Sequence, residues 1–362
     1  MINLKTLSIY LLTSYIRYFI AVLLVVTGAL ILSNIFDVLQ KFKTIHIPSE
    51  LIWKLVLYKI PYLLGEISAL ISFVSMLFFL RQLTKYNELV IILCSGNHIW
   101  KVFIVPVVTT FLIGIIFVAV VNPIGTYGLQ QYEKLERSLI NKKHRDFIII
   151  QSGLLFFEEY NGTNRIIQAE SINLTTKELK EVTILFIDSG NSLLKRIDAD
   201  SAILNDGNFK LLKLTITTDD NSQEYEDLTI PTNLSMNDFT GRFISSEMIS
   251  IWNIKSYIDK FTKFGLPVIN YQVHYYKLLF KPFVMVSIVI FASCFISLKQ
   301  RTNTQAKVLA RGLICGFAVY SLLEIFLRVL ISNGIDPIFA ILLPNFFLIC
   351  ISNFVILHLH EA

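Results

Sequence analysis

The chain is short of charge. Of its 362 residues only 16% are Asp, Glu, Lys or Arg, against about 25% in an ordinary soluble chain. Cysteine is as sparse. Cys94, Cys294, Cys315 and Cys350 lie in or beside apolar runs and form no Cys-x-x-Cys pattern, and residues 122–274 hold none. A disulfide framework and a cysteine-built metal site are excluded. The six histidines are scattered at 46, 98, 144, 274, 358 and 360, with no His-Glu-x-x-His pair to grip zinc. His358 and His360 read as an exposed interfacial end. The Gly-rich phosphate loop GxxxxGK[ST] and the nucleophile elbow GxSxG are also absent. No catalytic residue, metal or cofactor is therefore expected, and any ATP hydrolysis must come from a partner.

Apolar residues are abundant. Hydrophobic side chains make up 54% of the chain, Phe alone contributes 28, and the mean hydropathy is +0.60. A soluble globular enzyme and a disordered chain are both excluded. Six runs reach the roughly 20 residues that cross a hydrocarbon core: about 16–36, 61–80, 102–121, 280–298, 308–330 and 338–357. The first is too long for a cleaved signal peptide and lacks a small-residue cleavage site. The net charge of +5 is segregated. Residues 122–250 carry 13 Lys/Arg against 19 Asp/Glu, a balance of −6, which leaves +11 for the rest. A nucleic-acid binder places its positive charge in its soluble part; here that part is acidic, so nucleic acid is rejected.

Basic residues in short loops set orientation. Lys299, Arg301, Lys307 and Arg311 share one loop with no acid, whereas 332–337 has no base and holds Asp336. The basic loop is then cytoplasmic, as is 81–101, both termini are inside, and about 122–274 is outside. That outer region reads as antiparallel β, a sandwich or jelly roll. Its runs are 147–150, 154–159, 165–172, 182–187, 210–217 and 225–230, with turn signals at 161–162, 189–191, 205–207 and 219–221. Ile251, Ile254, Ile258 and Phe261 then repeat at helical spacing, an amphipathic helix stopped by Gly265 and Pro267. The expected fold is a polytopic α-helical membrane protein with six transmembrane helices and an extracytoplasmic jelly-roll-like β domain. Its parts are 1–121 (spans one to three), 122–249 (β domain), 250–274 (amphipathic connector) and 275–362 (spans four to six).

Three sets of residues are candidates for function. A short apolar helix opens after Asn87, a plausible N-cap, with Glu88 in its first turn, where the helix dipole favours a carboxylate, and it stops at Gly96. It reads either as an interfacial connector or as a helix, including Leu89 and Ile92, that docks on a cytoplasmic partner. Lys41 and Lys43 follow the first span on the side where bases are rare; they suit an anionic headgroup or a solvated loop. Charged and polar groups inside spans mark interiors or cavities: Glu66, Asn34 and Asp37, and Glu324 with Arg328, spaced four apart so that they can pair. Gly312-xxx-Gly316 permits close helix approach.

Taken with the layout of three spans, a β domain and three spans, the segment Asn87-Glu88-Leu89-Val90 … Ser95-Gly96 resembles the coupling helix of the lipopolysaccharide export permeases LptF and LptG. Asn122-Pro123, Tyr271-Gln272 and Leu342-Leu343-Pro344-Asn345 add to the resemblance, which covers essentially the whole chain and is closer to LptG, through Asp37-Val38-Leu39-Gln40-Lys41 and the segment from Tyr271 to Pro282. Lysines that LptG-type chains carry near the end of span one correspond here to Asn34 and Gln40, leaving Lys41. The resemblance implies a bacterial inner-membrane heterodimer with an LptF-like permease and an LptB-like ATPase dimer below, gripping Glu88, Leu89, Ile92 and Gly96. It also implies an LptC-like periplasmic membrane protein alongside, and lipopolysaccharide drawn from membrane lipid through gates at spans one and five, on its way to outer-membrane biogenesis. The rival from the residues alone is a membrane-anchored scaffold or sensor whose β domain binds a periplasmic ligand without transport.

Overall fold

The computed structural model describes residues 4–43, 48–96, 98–139, 147–150, 153–160, 163–173, 178–187, 193–205, 207–218, 221–232, 245–263, 268–296 and 302–361. The chain forms two compact units. One contains Met1–Glu136, Ser250–Trp252 and Val273–Ala362; the other contains Arg137–Ile249 and Asn253–Gln272.

The first unit is helical. Its elements are α1 (Leu4–Lys41), α2 (Ser49–Glu66), α3 (Ser68–Lys85), α4 (Glu88–Cys94) and α5 (Ile99–Ile116). A π-helical stretch, Phe117–Val121, runs on into α6 (Asn122–Leu139). After the β region come α7 (Ile251–Lys263), which from Asn253 onward belongs to the second unit, α8 (Ile269–Leu279), of which the first unit holds the part from Val273, α9 (Lys281–Ser293), α10 (Thr302–Ser332) and α11 (Pro337–Glu361). Four helical stretches are long and apolar enough to cross a membrane: Thr6–Lys41, Ile99–Glu136, Lys307–Ser332 and Pro337–His358. The count rises to six if two bent pairs are one span each, α2 with α3 (66°) and α8 with α9 (56°). The second apolar run is thus no straight helix over 61–80: it breaks at Ile67, inside that run. The break is held locally, because the Ser68 hydroxyl donates to the Gly65 carbonyl at 2.8 Å. The other break, at Phe280, precedes Pro282, whose ring has no N–H to give a continuing helix.

α3 lies at the centre of the helical core. Phe73, Met76, Phe79 and Leu83 are essentially inaccessible and join Leu11 and Tyr15 of α1, Val102 of α5 and Met285 of α9. Its small polar residues bond to their own helix, Ser72 to the Ser68 carbonyl and Ser75 to that of Ile71, so they enter the core without stranding a donor. Where α1 meets α5, the buried Tyr15 and Thr110 hydroxyls share a 2.7 Å hydrogen bond.

The second unit is built on a seven-stranded antiparallel sheet in the order β1 to β7: Phe147–Ile150, Gly153–Tyr160, Thr163–Asn173, Glu178–Ile187, Leu193–Asn205, Asn208–Thr218 and Asn221–Pro231. Each strand pairs only with its sequence neighbours among the described residues. This is a meander, and it lacks the non-sequential neighbours of a jelly roll. The turn signals at 161–162, 189–191 and 219–221 lie at least partly outside the described residues; at the described end of 205–207, Gly207 takes φ +79°.

The sheet is creased. Glu170, Glu181, Asp200, Lys213 and Glu226 stand opposite one another across β3 to β7, and each drops out of a register that continues unchanged on either side of it; a separate shift lies between Phe186 and Ile187 in the β4–β5 pair. Glu181 and Lys213 adopt φ of +48° and +49°. Inward-facing residues change phase there: Leu179 and Val182, Ala199 and Ala202, Leu211 and Leu214 are buried on either side. The curl brings the end of β7 back to β2 and β3. Arg165 donates to the Pro231 carbonyl at 2.7 Å, and the Thr232 hydroxyl donates to Glu158 at 2.9 Å. In the same unit, Ile254 and Phe261 of α7 are buried as their spacing predicts, and the Phe261 ring packs 4.6 Å from that of Tyr271.

Candidate functional site

Three places in the helical unit bring functional side chains together. The first is the seven-residue α4. It is bounded by Asn87 at φ +58° and Gly96 at φ +82°. Asn87 holds the N-cap position but makes no side-chain cap bond. Leu89 and Ile92 are buried at 0% and 4% exposure. They anchor the segment in the helical core, whereas the sequence places them on a docking face. The outward face includes Val90, Ile91 and Cys94, beside the exposed Tyr86. Glu88 accepts a 2.8 Å hydrogen bond from the Tyr10 hydroxyl, which ties α4 to α1.

The second lies at the far end of α1. Lys41 forms a 2.7 Å ion pair with Glu136 of α6. The buried Tyr132 ring is shared by two cations, Lys41 at 5.8 Å and Lys59 of α2 at 5.6 Å from its centroid. Glycine makes this convergence possible. A Cβ on Gly125 would come within 2.9 Å of the Tyr62 Cα, and one on Gly128 would overlap the Tyr58 carbonyl, so α6 lies directly on α2. Lys43 is exposed, as is Asp37. Asn34 is buried, its amide donating to the Leu30 carbonyl of its own helix at 3.2 Å.

The third is a cavity of about 90 Å³ where the two helix breaks face each other. Glu66 ends α2, His274 and Lys277 come from α8, Lys281 opens α9, and Tyr320 and Glu324 come from α10. Asn345 of α11 also lines it and accepts a 2.7 Å bond from Ser287. Glu324 pairs with Lys277 at 2.7 Å, not with Arg328, which is exposed. The Tyr320 hydroxyl donates to the Glu66 carbonyl at 3.2 Å. Among the described residues no cluster of His, Cys, Asp and Glu is arranged to hold a metal ion.

Residues 9–358 match the family model "Lipopolysaccharide export system permease LptF/LptG". The chain belongs to the LptF/LptG permease family. It is also similar to the lipopolysaccharide export system permease protein LptG of Haemophilus influenzae, 23% identical over 360 residues, covering 95% of this chain and 96% of that protein. An LptF/LptG permease is a transporter component, which agrees with the missing catalytic motifs.

In this LptF/LptG chain several site residues escape local sequence reading. Tyr10 lies 78 residues from Glu88. Glu136, which pairs with Lys41, and Lys59, which shares the Tyr132 ring with it, come from helices far away in sequence. Lys277 and Lys281 sit beyond the end of the β region, where they read as flanks of a span. The one available signal is spacing: Gly312, Gly316, Tyr320 and Glu324 form an unbroken every-fourth-residue stripe, which is one face of a helix.

Proposed function

We propose that this chain is the LptG-type half of an ATP-driven lipopolysaccharide exporter in the bacterial inner membrane. Six spans, with each bent pair counted once, surround one side of a lipid-accepting bundle whose other side is an LptF-like permease. Both termini face the cytoplasm and about 122–274 is periplasmic. An LptB-like ATPase dimer grips α4, an LptC-like membrane protein stands alongside, and lipopolysaccharide passes over the curled sheet to a periplasmic bridge. The apolar inner face of that sheet offers acyl chains about 0.8 kcal/mol for each CH₂ it shields from water.

The observation that carries this reading is the build of α4. A chain with no nucleotide site needs a handle for a motor. α4 is anchored by Leu89 and Ile92, presents Val90 and Ile91 outward, and has its acidic residue tethered to α1 through Tyr10. A push on α4 is therefore felt by the helix that carries Lys41. In this reading Lys41 and Lys43 receive the anionic headgroup, with Glu136 holding Lys41 until the headgroup arrives.

The test is purification of the full chain with its associated subunits. An ATPase should co-purify with wild type and be lost with Val90→Asp/Ile91→Asp, while the permease partner stays bound. If no ATPase accompanies the wild-type chain, the transport reading falls and a scaffold with a ligand-binding β domain replaces it.

A further inference from the structure

Four formal charges converge on the cavity at the helix breaks: Glu66, Lys277, Lys281 and Glu324. They sum to zero, so the cluster calls for internal pairing before any bound ion. Only one pair is made, Lys277 with Glu324. Lys281 has no carboxylate within ion-pairing distance among the described residues. Its ammonium rests instead against the break in α2, 3.8 Å from where a Cβ on Gly65 would stand. The neighbouring His274 Nε2 is buried without a hydrogen-bond partner. Lys277 and Lys281 are four residues apart in sequence, across the 56° bend at Phe280. One carboxylate thus has two candidate cations at successive levels of the same bent span.

α10, which bears that carboxylate, changes its kind of contact along its length. At its inner half, Gly312 and Gly316 press on α3. A Cβ on Gly312 would lie 3.1 Å from Leu77, and one on Gly316 would overlap the buried Phe73 ring. That seam leaves no room for a side chain between the two helices. Toward its other end the same stripe continues as Tyr320, part-buried against the helical core and bonded to the Glu66 carbonyl, and Glu324, paired with Lys277, while Leu327 beyond them packs on Ala340 and Ile341 of α11. Much of the rest of its surface is bare: Ile314, Phe317 and Ile325 are all more than half exposed. Glu324 lies eight residues beyond Gly316, about 12 Å along the axis, so a small tilt about the glycine seam moves it by several ångströms.

We propose that Glu324 is a two-position latch for α10. Paired with Lys277, it fixes the helix as seen. Handed to Lys281, it fixes a second position in which Tyr320 leaves the Glu66 carbonyl and the part of α10 beyond the glycine seam is displaced. A side-chain cluster built only for stability would complete both ion pairs; this one keeps the second cation at hand and unpaired. The latch does not depend on the transport reading, since its test involves neither nucleotide nor lipopolysaccharide.

The experiment is double electron–electron resonance on the full chain in lipid nanodiscs. Spin labels go on Ser49→Cys and Ser332→Cys, both exposed, with the four native cysteines replaced by alanine. Lys277→Met should raise the population of the second distance about tenfold, the ratio that 1.4 kcal/mol gives. Lys281→Met should abolish that population, and the exchange Lys277→Glu/Glu324→Lys should restore the first distance. Shifts of opposite sign cannot arise from general loosening. If both lysine variants move the distribution the same way, or neither moves it, the latch is wrong.

Discussion

The contact that closes the curled sheet can be broken one charge at a time. Glu158 and Arg165 face each other at 3.9 Å with side chains 0% and 10% exposed. Arg165 also reaches the Pro231 carbonyl, and Glu158 receives Thr232, so the pair fastens β2 and β3 to the end of β7. Arg165→Met keeps the length of the side chain but takes the counter-charge from a buried carboxylate. Removing one partner of a buried pair costs about 3–5 kcal/mol. Tenfold per 1.4 kcal/mol makes that at least a hundredfold loss of amide-exchange protection, by order of magnitude, across β2, β3 and β7. In a unit of about 130 residues it lowers the unfolding midpoint by roughly 10–20 °C.

The assay is hydrogen exchange on the full chain, read peptide by peptide over the β unit with the helical unit as internal reference. Arg165→Met/Glu158→Gln removes the uncompensated charge and keeps an acceptor for Thr232, so it should recover to within about 1–2 kcal/mol of wild type. The Phe186 ring, 5.0 Å from the Arg165 guanidinium, supplies the rival explanation. If the double variant is as unprotected as Arg165→Met, the damage came from lost stacking on Phe186, and the ion-pair reasoning is refuted.

Other consequences are open to direct measurement. Gly316→Ala should destabilise the helical unit by about 1–3 kcal/mol through overpacking on Phe73, while Gly28→Ala, with nothing within 4 Å of its new Cβ, should not; equal midpoints for the two in detergent would contradict the seam. Tyr10→Phe should leave folding unchanged yet weaken coupling of α4 to α1, read as ATPase activity less stimulated by substrate in the assembled complex. Burial raises the Asp198 carboxyl, but bonds from Arg196 and Thr183 outweigh it and hold it below its ordinary value. Its stabilising contribution is thus full above the unfolded carboxylate range and lost as pH falls through the folded value, and Asp198→Asn should flatten the acid slope of β-unit stability below about pH 4. Glu181→Gly should stabilise the same unit by about 1 kcal/mol, because φ +48° strains a side chain there and glycine is free of it; a loss in chemical-denaturation midpoint would count against the strain.

The sequence carried the layout of this chain well where structure is local. Long apolar runs, the amphipathic face of α7 and six of the seven strands all follow from period and punctuation. β5 did not, although at 13 residues it is the longest strand. Its inward residues are Ile197, Ala199, Ala202 and Leu204, and the odd step between Ala199 and Ala202 is the crease at Asp200. Alternation is the signal by which a half-buried strand is read, and a crease resets its phase mid-strand. Charges at 195, 196, 198 and 200 then make the run look like loop. The jelly-roll expectation had a different weakness: strand spacing speaks to the number of strands, while their order is set by long-range pairing that no local pattern records.

The same distinction separates the candidate sites. α4 is legible because its start, its apolar face and its stop lie within ten residues. The break cavity is assembled from positions 66, 274, 277, 281, 320 and 324, drawn from four helices. Read singly, each is a polar intrusion in a span, and the nearest sequence partner of Glu324 is Arg328. The structure gives that carboxylate to Lys277 because the bend at Phe280 turns the start of α9 away from the end of α8, and α10 meets the bent span at the corner. A helix break exposes backbone polar groups that lipid cannot satisfy. Side chains able to bond them gather there, as Ser68 and Tyr320 do at the end of α2. Ionisable residues near a broken span are therefore better read against the opposing break than against their neighbours four residues away.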